Sequence, residues 1–177
     1  LSAMLGNGTT SIPKDKFNEE VEFLGASVSV TFSGGSANTL TKNNDRVLEL
    51  WSDAIINPLL LEEEFDKEKT KLSESLKADV NNIDAIADRV SSALSYGKDH
   101  PYGEFLSETT LSNVTFEDVL DYHSRYYIPN NAYLVVVGDV NTKEIKTVLK
   151  EKFGIWKKGK MPVNPEPKYT ENVMLTE

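Results

Sequence analysis

The sequence predicts an α+β fold, a mostly antiparallel sheet packed by helices. Ser27 to Phe32 alternates Ser-Val-Ser-Val-Thr-Phe, the period-2 pattern of a half-buried strand, and Gly34-Gly35 follows as a turn. Apolar residues recur at helical spacing in about five segments, grouped in blocks rather than in strict βαβ alternation, which argues against a doubly wound parallel sheet. Ala132 to Val137 is an almost wholly apolar run, the composition of a strand covered on both faces. The 177 residues, 39% of them hydrophobic and 27% charged, suffice for one domain with a real core.

Taken in order, Leu1-Ser2-Ala3-Met4-Leu5 reads as the tail of a helix, so a fragment of a longer protein is expected, with any targeting signal upstream of Leu1. Gly6-Asn7-Gly8-Thr9 is loop chemistry, and Pro13 opens a helix carrying Phe17, Val21 and Leu24, closed by Gly25. After the first strand and its Gly-Gly turn, Ser36 to Thr41 pairs back as a more polar strand. Val47, Leu50, Trp51, Ala54 and Ile55 make the fullest amphipathic stripe, ended at Asn57-Pro58. A helix from about Glu62 to Ala78 carries Phe65, Leu72 and Leu76. Asp84 is expected to cap the next, with Ile86, Val90, Ala93 and Leu94 turned inward.

His100-Pro101-Tyr102-Gly103 is a loop. Thr115-Phe116-Glu117-Asp118 fits a capping box opening a helix to about Tyr127, with Val114 and Val119 as its hydrophobic staple. Ala132 to Val137 is expected to be the central strand of the sheet, with the helices carrying Trp51 and Leu72 packed on one face of it. Asn141-Thr142-Lys143-Glu144 caps a last helix with Ile145, Val148, Leu149 and Phe153 inward. Lys157 to Lys168 holds four lysines and three prolines and reads as a linker, and Asn172 to Thr176 as the start of a strand. The expected organisation is a domain over 1–156, a linker over 157–170 and a following segment from 171 to 177.

Composition excludes several functions. A net charge of −9 disfavours nucleic acid and anionic membrane surfaces as partners. There is no cysteine, hence no disulfide, no thiolate metal site and no Cys nucleophile. No apolar run approaches the ~20 residues of a membrane-spanning helix. The only histidines, His100 and His123, lie in no metal-ligand spacing and read as structural. No G-x-S-x-G elbow or phosphate loop is present. Glu62-Glu63-Glu64 suits the positive end of its helix dipole and needs no further role. Residue by residue, no catalytic apparatus is visible.

The order of segments adds a second line. Met4-Leu5-Gly6-Asn7-Gly8-Thr9, a helix, Gly25-Ala26 and a strand are followed by Asn57-Pro58, the Phe65-Asp66-Lys67-Glu68-Lys69 helix and His100-Pro101-Tyr102-Gly103. Tyr126-Tyr127-Ile128-Pro129-Asn130-Asn131 then leads through the apolar run to Gly138-Asp139-Val140. In this order and spacing the chain resembles the N-terminal domain of the M16 metallopeptidases, the family of pitrilysin, insulin-degrading enzyme and the mitochondrial processing peptidase. Essentially the whole chain is covered.

The resemblance implies that family's fold, and zinc as the cofactor of active members. Active members carry H-x-x-E-H just before M-L-x-x-G-T, where two histidines on one helix face hold the metal and the glutamate activates water. Aligned here, Ser2 stands at the glutamate position and Ala3 at the second histidine, while the first histidine position lies before Leu1. The family's third ligand, a glutamate on a later helix, aligns with Ser75, or with Glu74 if the alignment slips by one. On a helical wheel Ser75 lies about 60° from Leu72 and Glu74 about 160°, so Glu74 is expected to face solvent. No zinc is expected in this chain. The edge strand that receives substrate backbone in active members corresponds to Ser29, Val30, Thr31 and Phe32, where peptide binding by strand addition is expected.

The resulting expectation is a non-catalytic M16 half or subunit that helps bind peptide or unfolded-protein substrates. Its expected partner is a second M16 domain in the same chain, an active M16 homologue, or both, with the periplasm or cell envelope as compartment. Two alternatives stand beside it: an active zinc endopeptidase whose ligands lie elsewhere, and an unrelated α+β interaction module.

Overall fold

The computed structural model describes residues 1–164 and residue 166. The chain divides into two compact units, one formed by Leu1–Phe65 with Phe116–Pro162, the other by Asp66–Thr115 with the described residues after Pro162. The expected strand at Asn172–Thr176 lies outside the described residues. So do the final residues of the expected linker.

The first unit holds the main core. Its α1 (Lys14–Phe23) begins after Pro13, whose missing N–H costs nothing at a helix start, and buries Phe17. β1 (Ser27–Thr31) and β2 (Gly34–Asn38) form an antiparallel hairpin with Ser27 opposite Asn38 and Thr31 opposite Gly34. The alternation expected for Ser27–Phe32 is present, with Val30 buried and Val28 half-buried between exposed neighbours. The turn falls earlier than expected, on Phe32-Ser33, and Gly34-Gly35 open the second strand. Gly35 is needed for close approach rather than for turning. A Cβ there would lie 2.5 Å from the Ser29 carbonyl oxygen and 3.1 Å from Trp51 Nε1.

α2 (Asn44–Ile56) supplies the centre of the core, burying Val47, Leu50, Ala54 and Ile55 along the stripe its spacing predicts. Leu5, Phe17, Val30, Leu50, Ala54 and Ile55 form one cluster, flanked by the half-buried Trp51, Tyr127, Phe153 and Trp156. Fully burying one such side chain contributes about 1.5–3 kcal/mol, so the cluster outweighs any single polar link described below.

Ion pairs join the helices around this core. The Arg46 guanidinium donates to both carboxylate oxygens of Glu20, from Nε at 2.5 Å and Nη2 at 2.8 Å, tying α2 to α1. The Glu20 carboxyl is thereby held below the usual carboxylate range, chiefly by the hydrogen bond from Arg46. α7 (Thr142–Phe153) is capped by Asn141, whose side chain accepts from the Lys143 and Glu144 amides as its sequence predicts. It packs on α2, with the Phe153 ring edge-on to Trp51 at 5.7 Å and Lys152 Nζ 3.4 Å from Asp45. α6 (Phe116–Tyr126) also belongs to this unit, burying Val119.

In the second unit, α3 (Glu62–Ala78), which starts in the first unit, has the span its pattern predicts but buries no residue, and Leu72 is exposed. α4 (Ile83–Tyr96) is capped by Asn82, which accepts from the amides of Asp84 and Ala85. Asp84, the expected cap, lies inside the first turn. Ile86, Val90 and Leu94, expected inward, are exposed. Their spacing is helical as predicted, but among the described residues of this unit too little apolar surface meets them. α5 (Glu108–Asn113) is a short helix with a Ser107–Thr110 capping box and the buried Leu111. Lys69 Nζ binds two carbonyls at its C-terminal end, of Ser112 at 3.1 Å and Val114 at 2.6 Å.

The expectation of a central strand at Ala132–Val137 is corrected. Among the described residues the sheet has two strands, β1 and β2, and residues 133–137 pair with neither. Tyr133, Val135 and Val137 are 100%, 81% and 91% exposed, and Leu134 and Val136 are 41% and 39% exposed. The segment keeps the alternation of a strand, but composition alone cannot provide the neighbouring backbones that bury both faces. Its expected packing partner Trp51 does line a cavity with it; Leu72 belongs to the other unit.

Candidate functional site

The first turn of the chain carries the positions assigned to metal chemistry. Met4 and Leu5 amides both donate to the Leu1 carbonyl, at 2.8 and 3.0 Å, forming a helical turn with Met4 and Leu5 buried. Between them Ser2 points its hydroxyl at the hairpin, where Ser2 Oγ accepts from the Phe32 amide at 2.8 Å. The structure therefore brings together two places singled out separately in the sequence: the position of the family's water-activating glutamate and the end of the candidate substrate strand. Ala3 is exposed, and its carbonyl accepts from Asn7 Nδ2 at 3.2 Å. A methyl side chain has no lone pair for a metal, and a serine hydroxyl is no general base at neutral pH.

Ser29, Thr31 and Phe32 are exposed and Val30 is buried. β1 pairs with β2 along one edge, and among the described residues no strand pairs with its other edge. That edge is open to backbone pairing except at Phe32, whose amide is engaged by Ser2.

In the second unit Glu74 and Ser75 are both exposed on α3. The wheel argument that set Ser75 beside an apolar stripe does not distinguish them, because α3 buries no stripe. Glu74 borders a polar depression with Lys69, Ser73, Lys77 and Glu108. Among the described residues no group of three His, Cys, Asp or Glu side chains is gathered to hold a metal ion. Serine, alanine and serine do not make a zinc donor set, so the residues at these positions do not fit the metal.

The remaining motif residues are tied into local structure. The Gly8 amide region and Asn57-Pro58 are locked together: Thr9 bridges Pro58, Thr10 N donates to Asn57 O at 3.0 Å, and Leu59 N donates to Gly8 O at 3.2 Å. Gly8 has φ +90°, and a Cβ would meet the Ile12 oxygen at 2.6 Å. Asp53 accepts from Ser11 Oγ at 2.6 Å and from Asn57 Nδ2 at 2.9 Å. Burial alone would raise its pKa, but these bonds, one from Thr9 and the Arg46 charge together leave it below the ordinary carboxylate value. This clamp was not legible in sequence, because its members lie far apart along the chain.

Both histidines make local packing and hydrogen-bond contacts. His100 is buried, and its Nδ1 accepts from the Tyr102 amide at 3.1 Å between the Tyr96 and Tyr102 rings. His123 stacks on Tyr127, and its Nε2 lies 3.1 Å from the Ile55 carbonyl, which holds α6 to the end of α2. Burial pushes the His123 pKa down, and the hydrogen bond to Ile55 opposes this in part. Asn130 exchanges two bonds with Gly159, at 2.9 and 3.0 Å, and Trp156 Nε1 donates to Tyr127 O at 2.9 Å.

A feature the sequence reading missed is an aromatic cavity of about 470 Å³ in the first unit, lined among others by Phe32, Trp51, Tyr122, Tyr126, Tyr127 and Tyr133. Trp51 Nε1 and the Tyr127 hydroxyl are buried without hydrogen-bond partners among the described residues. Burial, followed by the influence of Tyr122, pushes the Tyr127 hydroxyl up to about 12. The signal available in sequence was the cluster Tyr122, Tyr126 and Tyr127 at the end of one helix.

Known proteins match this frame along nearly its whole length. The family model described as Insulinase (Peptidase family M16) matches residues 1–103, and that described as Peptidase M16 inactive domain matches residues 113–175. A Rickettsia felis protein named as an uncharacterized zinc protease is 29% identical over 167 residues, covering 90% of this chain and 40% of its own length. The zinc protease PqqE of Helicobacter pylori is 30% identical over 156 residues, covering 82% of this chain and 34% of its own. The chain thus spans well under half the length of these curated relatives. Among solved structures, a protease from Helicobacter pylori superimposes with a TM-score of 0.78 at 25% identity, covering 97% of this chain and 42% of that one. The M16 inactive domain from Pseudomonas fluorescens does so with a TM-score of 0.79 at 18% identity, over 94% and 42%, a likeness of fold alone. Among the described residues no helix is long and apolar enough to cross a membrane. With family models covering both parts of the chain and the fold shared with solved M16 structures, this chain belongs to the M16 peptidase family.

Proposed function

We propose that the chain is a non-catalytic half or subunit of an M16 assembly that offers peptide-binding surface and pairs with a catalytically competent M16 domain. One observation carries the reading: the residue at the position of the family's glutamate is a serine whose hydroxyl accepts the Phe32 amide, beside an alanine with no ligand atom. The Ser2 side chain, at the glutamate position on this reading, supports the hairpin instead. Peptide binding uses the open edge of β1 at Ser29, Val30 and Thr31, through backbone pairing that tolerates side-chain change. The match to a family model described as an inactive domain supports the same reading; the first half of the periplasmic protease PqqL from Escherichia coli shares the fold. On this reading Lys157–Lys168 is a connector toward a further M16 domain, and the compartment is the periplasm or cell envelope.

A second reading, an active zinc endopeptidase, is favoured by the names of the curated relatives, which are zinc proteases. The test is to purify the natural full-length protein, measure its zinc content, and assay cleavage of an unstructured peptide with and without an H-x-x-E-H-bearing M16 homologue. The first reading expects no zinc bound through these residues, no cleavage alone, and stimulation of the homologue on complex formation. About one zinc per chain, lost in Glu74→Ala together with activity, would establish the second reading instead.

A further inference from the structure

The register of the hairpin decides which backbone groups of β1 are free. Thr31 and Gly34 face each other across a two-residue turn, which makes them a hydrogen-bonded pair. Ser29 with Ser36 and Ser27 with Asn38 follow in the same phase. Val28 and Val30 alternate with these, so their N–H and C=O groups point the other way, toward the edge that no strand covers among the described residues. Phe32 is next in that outward phase, and its amide is engaged: Ser2 Oγ accepts from it at 2.8 Å.

The edge therefore offers the backbone of Val28 and Val30 and then stops. No backbone hydrogen bond from outside the hairpin reaches those two residues among the described residues. The stop itself is held in place. Ser2 lies within the turn closed by the Met4 and Leu5 amides on the Leu1 carbonyl, and the Met4 and Leu5 side chains anchor that turn in the core. The exposed side chains along β1 are small and hydroxylic, Ser27, Ser29 and Thr31, and do not shield the edge from a second backbone at a spacing of about 4.8 Å. The net charge of −9 favours a basic strand over an acidic one as its occupant.

We propose that Ser2 sets the limit of the peptide-binding edge: its hydroxyl occupies the Phe32 amide, so an extended basic peptide pairs with Val28 and Val30 and is stopped before Phe32. The inference rests on the peptide-binding reading above and adds to it the register and the length of the paired segment. An N–H given to one acceptor has little left for a second. A peptide carbonyl arriving at Phe32 must displace Ser2, which exchanges one hydrogen bond for another without net gain, or stay unpaired beside a hydroxyl oxygen, which costs free energy. Ser2 is thus a specificity-determining residue. Because it acts on the main chain, it fixes where pairing ends without selecting the side chains of the peptide.

The test uses the natural full-length protein and a fluorescein-labelled, amidated peptide of alternating threonine and lysine, about nine residues long so that it overspans β1. Binding is read by fluorescence polarisation, and amide exchange at Phe32 is read at single-residue resolution. In the wild type the Phe32 amide should be slowed without peptide and unchanged by it. Ser2→Ala should bind the peptide about 3–10-fold more tightly, the gain of one net hydrogen bond, with a Phe32 amide that exchanges fast alone and is slowed by peptide. Ser2→Thr, which keeps the hydroxyl, should follow the wild type. Peptide binding that is unchanged or weakened in Ser2→Ala would overturn the proposal and leave the peptide-binding reading standing, as would peptide-dependent slowing at Phe32 in the wild type. Val28→Pro deletes an outward amide but no bond to β2, and should weaken binding by at least about 3-fold. Undiminished binding in that variant, or no binding by any of these proteins, would reject the β1-edge reading itself and this inference with it.

Discussion

α2 in the first unit and α4 in the second share the same sequence signal and have opposite fates. Both carry apolar residues at i, i+3/i+4 and i+7 spacing, and both form helices where that spacing predicts. α2 buries Val47, Leu50, Ala54 and Ile55, whereas Ile86, Val90 and Leu94 of α4 are exposed. Periodicity reports that one face is apolar. It does not report whether another element meets that face. In the first unit the hairpin and α7 pack on α2, and α1 joins it through Phe17 in the shared core and the Arg46–Glu20 pair. In the second, packing among the described residues includes the Tyr96–His100–Tyr102 rings, buried Leu111, and Lys69 against the end of α5.

The comparison is broken most directly at these two stripes. Leu50→Ala should lower unfolding stability by about 2–5 kcal/mol in urea titration, through lost burial and a residual cavity. Val90→Ala should lower it by less than about 1 kcal/mol, since half its surface is already wet. Equal losses would mean that the α4 stripe is covered in solution.

The next effect sharpens the contrast within the first unit. Gly35→Ala places a Cβ against the Ser29 carbonyl and Trp51 Nε1 and should cost about 1–3 kcal/mol, with a shift in tryptophan emission. Gly25→Ala, where φ is +59° but no atom lies within 4 Å, should cost about 1 kcal/mol and leave the emission unchanged.

Protonation tests the α2–α6 link. The folded pKa of His123 lies below its ordinary 6.5, so the unfolded chain takes up the proton first. Its contribution is fully present above pH 6.5 and is lost as pH falls through the depressed folded value. Urea midpoints should therefore drop over that range in the wild type and remain flatter in His123→Gln. Glu20 and Asp53 are also depressed, from ordinary values of 4.5 and 3.8, so their contributions are lost only at lower pH.

The smallest effect lies in the second unit. Asn82→Ala should cost about 1 kcal/mol by removing the cap of α4, while Asp84→Ala should cost less, through the helix dipole alone. Amide exchange across Ile83–Ala87 would read the difference even where global unfolding does not. A reversed order would restore the cap to Asp84.

The candidate site was legible where it depended on residue identity. That Ala3 offers no metal ligand, and that neither histidine has a partner at metal spacing, needed no coordinates. What the Ser2 hydroxyl bonds to could not be read, because its partner Phe32 is thirty residues away and is reached by a backbone amide rather than by a motif. Glu74 faces solvent, as the wheel expects, but so does Ser75: a wheel separates residues around a helix only when one side is covered, and α3 buries none.

Local chemistry therefore determined, by itself, the spans of the longer helices, the hairpin, the Asn141 cap and the acidic, cysteine-free character of the chain, though not the short α5. These depend on backbone propensity and on neighbours within a few residues, which a linear sequence carries in full. Tertiary structure alone decided which apolar faces are buried, why Gly35 is glycine, and the clamp that binds Asp53 to Ser11 and Asn57. It also decided that Tyr133–Val137 lies extended but unpaired, because pairing requires a second backbone at hydrogen-bonding distance, and no composition of one segment can specify the presence of another.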